Sequence, residues 1–205
     1  MIVGVLALQG AFVEHIEMLA RLGVPSREVR KKQDLAGLDG LVIPGGESTA
    51  MGKLASSKHS GYLFDELRTL AQARFAIYGT CAGMILLARD VLGGIEGQPR
   101  IRAMNIVVRR NAFGRALGSF VVDLSIPVLD GVSVPAKEVL DFPAVFLRAP
   151  IIERVGQGVD MLATLDDGTI VAARQDRILV SSFHPELTDD TRFHEYFLAM
   201  VTERV

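Results

Sequence analysis

A single cysteine between two apolar stretches constrains the fold of this chain more than any other feature. Residues 75–78 have the composition of a buried strand and residues 84–88 that of an apolar helix. The turn that joins them is Gly79-Thr80-Cys81-Ala82-Gly83. In a strand–turn–helix elbow of this kind, the central residue projects as a nucleophile above the end of the sheet, and the flanking glycines avoid clashes in a tight backbone.

The elbow makes Cys81 a candidate nucleophile. It would lie at the N-terminus of the following helix, whose positive dipole end favours the reactive thiolate. The alternative is that Cys81, the only cysteine in the chain, is a small buried apolar residue, which is the more common role of a lone cysteine.

Composition and charge exclude several classes of protein. The chain has 49% hydrophobic and 22% charged residues, as a compact globular protein does. Its net charge of −2 gives no electrostatic basis for binding nucleic acid, and one cysteine excludes a disulfide framework and a Cys-rich zinc site. No apolar run reaches the roughly 18–20 residues that span a bilayer, and the apolar N-terminus lacks the basic flank of a signal peptide. We therefore expect a cytoplasmic protein that makes no use of a membrane.

The order of the apolar segments predicts a doubly wound α/β fold. Residues 2–8, 41–43 and 178–183 are nearly continuous apolar runs, which are typical of parallel strands covered on both faces, and a short strand is expected near residues 28–29. We predict a mostly parallel, flavodoxin-like sheet flanked by helices, in a single domain over residues 1–205.

Amphipathic helices are predicted where apolar residues recur at helical spacing. The apolar positions are Phe12, Ile16, Leu19 and Ala20 in the first helix, Leu63, Phe64, Leu67, Leu70 and Ala71 in the second, and Phe193, Phe197, Met200 and Val201 in the last.

The second half of the chain has shorter segments of β character. They lie at residues 104–108, 119–124, 144–146, 161–165 and 169–173. The sequence Asp166-Asp167-Gly168 between the last two is a strong hairpin signal, so we predict an antiparallel extension of the sheet. Residues 127–143 are expected to form a loop.

Two further segments follow predicted strands and are expected to meet Cys81, because ligands of α/β sheets bind beyond the carboxyl ends of the strands. They are Leu8-Gln9-Gly10 and Pro44-Gly45-Gly46-Glu47-Ser48. The backbone N–H groups of Gly46 and Ala82 could form an oxyanion hole there. The alternative is an ordinary turn before a helix, for which Ser48 or Thr49 is the expected cap.

His184 is the candidate general base, since it ends a buried strand and lies two residues before Glu186. In a Cys–His–Glu triad the imidazole takes the thiol proton, and the carboxylate orients the imidazole and stabilises its charged form. A hydrogen-bonded structural histidine is the alternative. We interpret His15, His59 and His194 as surface residues.

These motifs resemble the triad-type (class I) glutamine amidotransferases. The elbow and His184-Pro185-Glu186 about a hundred residues later indicate this family. Other stretches resemble the branch that serves vitamin B6 synthesis: Leu8-Gln9-Gly10, Pro44-Gly45-Gly46-Glu47-Ser48-Thr49, Arg110-Asn111-Ala112-Phe113-Gly114-Arg115, Phe146-Leu147-Arg148-Ala149-Pro150 and Ser182-Phe183-His184-Pro185-Glu186-Leu187-Thr188. Ala116 and Val121 stand where that branch usually has Gln and Glu.

The resemblance implies hydrolysis of L-glutamine. Cys81 would attack the side-chain amide, His184 would protonate the departing ammonia, and water would cleave the γ-glutamyl thioester. The implied glutamine-binding residues are Gly46, Glu47, Ser48, Arg110, Leu147 and Arg148. Basic and acidic groups suit the two charges of an amino acid, although most arginines are simply solvated.

The resemblance also implies a partner. In the family, ammonia is delivered to a (β/α)8-barrel subunit that makes pyridoxal 5′-phosphate from a pentose phosphate and a triose phosphate. Leu8, Gln9 and Gly10, with the helix after them, are the implied docking surface. Docking there would set the active geometry of the turn that contains Gly46 and its oxyanion-hole N–H group. Neither a cofactor nor a metal ion is expected in the glutaminase itself.

Two other interpretations stay open from the residues alone. One keeps the elbow but changes the substrate, as in another triad amidotransferase or a cysteine hydrolase of related fold. The acidic Glu47 and the basic Arg110 and Arg148 favour an amino acid over an apolar ester. The other is a non-catalytic α/β binding module, which would have no use for a base directed at a thiol.

Overall fold

Short apolar strands alternate with amphipathic helices in the computed structural model, which describes residues 1–113, 118–132 and 141–202. The strands are β1 (Val3–Leu6), β2 (Ser26–Val29), β3 (Gly40–Ile43), β4 (Ala76–Thr80), β5 (Ala88–Leu92), β6 (Met104–Arg109), β7 (Ser119–Leu124), β8 (Phe142–Leu147), β9 (Ile151–Val155), β10 (Asp160–Thr164), β11 (Ile170–Gln175) and β12 (Ile178–Ser181). The helices are α1 (Phe12–Arg21), α2 (Ser48–Ala55), α3 (Leu63–Gln72), α4 (Ala82–Leu87) and α5 (Arg192–Thr202).

The predicted parallel sheet is confirmed. Its strands run in the order β2-β1-β3-β4-β12, and each neighbouring pair is parallel. Every residue of β1, β3, β4 and β12 is buried, as expected for parallel strands with helices on both faces. The short strand expected near residues 28–29 is β2.

Antiparallel strands extend this sheet beyond β12, as predicted. The order continues β12-β11-β9-β6-β5, with β10 paired to β11 through the predicted hairpin. Strands β5 and β9 were not predicted, and β5 pairs with β6 in parallel at the far edge. Strands β7 and β8 form a separate antiparallel pair.

The helices bury apolar faces on both sides of the sheet. Met51 of α2 and Phe64 of α3 belong to one core cluster. Leu19 of α1 and Phe197 of α5 belong to a second cluster on the other side. The prediction for α1 was wrong at Ala20, which is exposed.

The region predicted as a loop over residues 127–143 is partly ordered secondary structure. Pro127–Leu129 form a 3₁₀ turn whose Leu129 is fully buried, and β8 already begins at Phe142. Residues 133–140 lie outside the described part of the chain, as does Ala116. Val121 lies on β7 with 63% of its surface exposed. Within the described residues, no helix has both the length and the apolar character needed to cross a membrane.

We predict that Gly83→Ala destabilises the fold, because α4 packs against the backbone of β3. A Cβ atom on Gly83 would lie 2.1 Å from the carbonyl oxygen of Ile43, so the helix would have to move. We expect a loss of about 2–3 kcal/mol in the free energy of unfolding, measured by urea denaturation.

Gly131→Ala is the matched control, because a Cβ there meets no atom within 4 Å and its backbone is not in the left-handed region. It should change stability by less than about 1 kcal/mol. Equal stabilities of the two variants would contradict the packing argument.

Candidate active site

Cys81 occupies a strained turn between β4 and α4, as the elbow motif predicts. Its φ and ψ are 47° and −100°, a conformation that residues with a side chain rarely adopt and that costs about 1–3 kcal/mol. The flanking glycines make the turn possible: a Cβ on Gly79 would lie 2.7 Å from the carbonyl carbon of Gly83. The backbone N–H of Cys81 donates to the carbonyl oxygen of Ser181 on β12 at 2.8 Å.

His184 reaches Cys81 because β4 and β12 are adjacent parallel strands that end at the same edge. Thr80 pairs with Ser181, and His184 follows three residues later. The backbone N–H of His184 donates to the carbonyl oxygen of Val145 on β8 at 2.8 Å, which fixes the turn. Its Nδ1 lies 2.7 Å from Oε1 of Glu186.

The surroundings of His184 favour its charged form. Burial alone would lower its pKa, but hydrogen bonds to Cys81 and Glu186 raise the pKa of His184 to about 10. Burial likewise favours the neutral acid at Glu186, yet His15 and then His184 lower the pKa of Glu186 overall. The arrangement therefore suits an imidazole that accepts the thiol proton beside a carboxylate that stays ionised.

One cavity of about 480 Å³ brings most of the candidate site residues together. Its walls are formed by Gln9, Gly10, Ala11, Gly45, Gly46, Glu47, Ser48, Cys81, Ile85, Arg110, Asn111, Leu147, Arg148, Pro150 and His184. Three of the candidates are not among these lining residues. Glu186 is buried behind His184, Ala82 is buried at the start of α4, and Leu8 packs partly buried against the core.

Gln9 and Gly10 pack directly against the glycine turn that follows β3. The side-chain oxygen of Gln9 accepts the backbone N–H of Glu47 at 2.6 Å, and the carbonyl oxygen of Gly45 accepts the N–H of Ala11 at 3.1 Å. Gly10 has a φ of +97°, and a Cβ on it would lie 1.8 Å from the carbonyl oxygen of Gly45. The segment after β1 therefore holds the turn that contains Gly46.

Glu47 is the N-cap of α2, so the expectation that Ser48 or Thr49 caps this helix was wrong. Its carboxylate accepts the backbone N–H groups of Thr49 at 2.9 Å and Ala50 at 2.7 Å. Burial opposes the charge, but these N–H groups and Arg110 lower the pKa of Glu47 overall. The Arg110 guanidinium lies 3.4 Å from the Glu47 carboxylate. An ionised acid and a cation therefore stand together in the cavity wall.

Comparison with known proteins agrees with this geometry. Residues 5–203 match a family model described as the SNO glutamine amidotransferase family. The chain belongs to this family. The pyridoxal 5′-phosphate synthase subunit PdxT of Dehalococcoides mccartyi is 50% identical over 201 residues, which cover 98% of this chain and 97% of the relative. The subunit PdxT of Deinococcus radiodurans is 51% identical over 207 residues, with coverage of 100% and 99%.

A solved structure shares the fold of this glutamine amidotransferase along nearly its whole length. It is described as the crystal structure of a glutamine amidotransferase, is 48% identical and has a TM-score of 0.86. The match covers 97% of this chain and 98% of the other.

Gln98 is a site residue of this glutamine amidotransferase that the sequence analysis missed. It is buried, its Nε2 donates to Oγ of Ser48 at 3.0 Å, and its Oε1 accepts from Arg110 at 3.2 Å. It thus connects two lining residues of the cavity, Ser48 and Arg110, although Gln98 is not itself a lining residue. No sequence signal identifies it, because it is an isolated polar residue in a segment without regular structure.

The interpretation of His15 and His194 as surface residues was wrong, whereas His59 is exposed. Both are fully buried, with His15 Nδ1 at 2.9 Å from His194 Nε2. A signal was available: His15 precedes Leu19 by four residues, so it shares the apolar face of α1. His194 likewise precedes Phe197 by three residues and Val201 by seven, so it shares the apolar face of α5.

We predict that His194 makes the protein sensitive to acid. Burial lowers the pKa of His194 from 6.5 to about 3, so between these values the unfolded chain binds a proton that the folded chain does not. Stability is therefore lost as the pH falls below 6.5, by up to about 1.4 kcal/mol per pH unit for this one group. Urea denaturation at pH 7 and pH 5 measures the loss.

His194→Gln is the comparison, since glutamine keeps a donor toward His15 but does not titrate. We expect its free energy of unfolding to fall less steeply between pH 7 and pH 5 than that of the wild type. An identical slope in both proteins would show that His194 is not held neutral by the fold.

Proposed function

We propose that the chain hydrolyses L-glutamine to glutamate and ammonia through Cys81, His184 and Glu186, as the glutaminase subunit of a pyridoxal 5′-phosphate synthase. The observation that carries the proposal is the cavity itself. One part of its wall contains the Cys81 thiol and the His184 imidazole. Another part contains the Glu47 carboxylate beside the Arg110 guanidinium. An amide whose other end carries both an ammonium and a carboxylate matches these two places.

Acylation begins when Sγ of Cys81 attacks Cδ of glutamine and its proton goes to His184. The negative charge then develops on the amide oxygen, where the backbone N–H groups of Gly46 and Ala82 would hold it. The C–N bond breaks as His184 gives the proton to the leaving nitrogen, which departs as ammonia. The product on the enzyme is a γ-glutamyl thioester.

Deacylation uses the same groups in reverse. A water molecule loses a proton to His184 and adds to the thioester carbonyl, and the C–S bond breaks as the sulfur of Cys81 regains that proton. Glutamate leaves, so the balance is one glutamine and one water consumed for one glutamate and one ammonia. Glu186 stays ionised and orients His184 throughout.

The remaining lining residues suit the amino-acid end of glutamine. The Glu47 carboxylate would accept the α-ammonium, and Arg110 with Arg148 would hold the α-carboxylate. Ser48 and Leu147 would complete the walls around the substrate chain. Both relatives described above carry the name of a pyridoxal 5′-phosphate synthase subunit, which supports glutamine as the substrate and vitamin B6 synthesis as its purpose.

We further propose that a (β/α)8-barrel synthase subunit docks at Leu8, Gln9 and Gly10 and receives the ammonia. Gln9 and Gly10 are exposed at the rim of the cavity. They also contact the glycine turn, so a partner bound there would act on the proposed oxyanion hole through Gly46. Free ammonia protonates in water, which is the chemical reason to deliver it directly.

Cys81→Ala is predicted to abolish the release of ammonia from glutamine in the presence of a pyridoxal 5′-phosphate synthase barrel subunit. Without the sulfur no thioester forms, so we expect a loss of at least about 1,000-fold. The assay couples ammonia to glutamate dehydrogenase, with and without the barrel subunit. Equal rates for the variant and the wild type would refute the glutaminase assignment.

Arg110→Gln is predicted to raise the KM for glutamine by about 10- to 100-fold, because a charge-assisted hydrogen bond to the carboxylate is lost. Its neighbour Arg109 is the control. Arg109 forms a bidentate ion pair with Glu153 outside the cavity, at 2.9 Å. Arg109→Gln should leave the KM unchanged. If both variants raised it equally, Arg110 would have no direct role in binding.

A further inference from the structure

The two oxygens of Glu186 have different surroundings. Oε1 contacts Nδ1 of His184 at 2.7 Å, as a triad requires. Oε2 is buried and has no hydrogen-bond partner among residues 1–113, 118–132 and 141–202. What it faces is Nε2 of His15, at 3.5 Å. A buried carboxylate oxygen without a donor is costly, so the group opposite it matters.

His15 can offer Glu186 a proton donor only in one tautomer. With the proton on Nε2, the ring points an N–H at Oε2 and at Oγ of Thr80, which lies 3.2 Å away. Its Nδ1 is then free to accept the Nε2–H of His194, at 2.9 Å. In the other tautomer a lone pair would face the carboxylate and repel it.

The state of His194 supports the same tautomer of His15. Nδ1 of His194 is buried without a hydrogen-bond partner in the described residues. If His194 donates from Nε2, that Nδ1 carries only a lone pair. If it accepted instead, Nδ1 would carry a buried, unpaired N–H, which is the more costly arrangement.

We propose that His15 is a positioning residue for Glu186: its neutral Nε2–H holds the second carboxylate oxygen, and His194 holds His15 in the tautomer that does so. The proposal deepens the function proposed above and rests on it, because it assigns the group that orients the triad acid. His15 touches neither the nucleophile nor the substrate. It acts through Glu186 on His184, and through His184 on Cys81.

The charged and titratable groups around Glu186 are consistent with a neutral His15 as its donor. They are His184 from the turn after β12, His15 and Glu14 from α1, His194 from α5 and Tyr78 from β4. Burial lowers the pKa of His15 despite the neighbouring Glu186, and burial keeps the Tyr78 hydroxyl protonated by raising its pKa. Glu186 is thus the buried acid of this set, and it is expected to stay negative beside the imidazolium of His184.

The substitutions His15→Gln and His15→Asn distinguish a role in positioning Glu186 from a role in packing. The amide nitrogen of glutamine is as many bonds from the backbone as Nε2 of histidine, so His15→Gln can still donate to Glu186. The amide nitrogen of asparagine matches Nδ1 instead, so His15→Asn can meet His194 but not Glu186. Both side chains are neutral and polar, and thermal melting shows which variants remain folded.

The readout is the rate at which iodoacetamide alkylates Cys81, measured by mass spectrometry as a function of pH. Cys81 is the only cysteine, and this assay needs neither glutamine nor a partner. Without its donor, Glu186 has a higher pKa and therefore takes up a proton at a higher pH than in the wild type. The neutral acid no longer stabilises the imidazolium that pairs with the thiolate. We expect the midpoint of the pH profile to rise by about one unit or more in His15→Asn, a tenfold loss of thiolate at a fixed pH.

His15→Gln should keep the wild-type midpoint to within about 0.3 unit. Equal shifts in both variants, or no shift in a folded His15→Asn, would overturn the proposal. Should His15→Asn fail to fold, His194→Phe provides the test, because it frees His15 to change tautomer and should also raise the midpoint. An unchanged midpoint in His194→Phe would then overturn the proposal.

Glutamine hydrolysis, measured with the barrel subunit, distinguishes this proposal from the proposed function. We expect His15→Asn to lower kcat by about 10- to 100-fold with little change in KM. A shifted alkylation midpoint together with no glutaminase activity in the wild type would uphold the role of His15 and reject glutamine as the substrate. Normal glutaminase activity with an unchanged midpoint would do the reverse.

Discussion

The parallel pairing of β4 with β12 is the constraint on which the rest of the site depends. Two strands separated by about a hundred residues of sequence end side by side, with Thr80 opposite Ser181. The Cys81 N–H then bonds to the Ser181 carbonyl oxygen, so the elbow is tied to the strand that carries the base. The antiparallel strands on the other side of β12 in the sheet enlarge it without disturbing the carboxyl ends of β4 and β12.

Burial strengthens the electrostatic interactions around Glu186. Glu186 lies between His184, which lines the cavity, and a layer of fully buried polar groups formed by His15, His194 and Thr80. In a low dielectric each of these contacts counts for more than it would in water, and each unpaired atom costs more. The helices α1 and α5 therefore contribute to the chemistry as well as to the core, because they carry the two buried histidines.

Glu47 shows how one side chain can serve the fold and the site together. Its carboxylate caps α2 and stands beside Arg110 in the cavity wall. The cap fixes the direction of the carboxylate at little entropic cost, since the turn before it is already held by Gln9. A substrate ammonium would meet an acceptor that does not have to be ordered on binding.

The sequence by itself determined the parallel core, the elbow at Cys81 and the pairing of His184 with Glu186, because these depend on local patterns: apolar runs, flanking glycines and two residues in one turn. Only the tertiary structure decided which groups meet across elements. The cap at Glu47, the bridge made by Gln98 and the buried contact of His15 with Glu186 join distant segments through isolated polar residues. Glu47 and Gln98 carry no periodic signal. The helical spacing of His15 indicates burial, but the partner that it meets is decided by packing between distant segments, which a single sequence does not reveal.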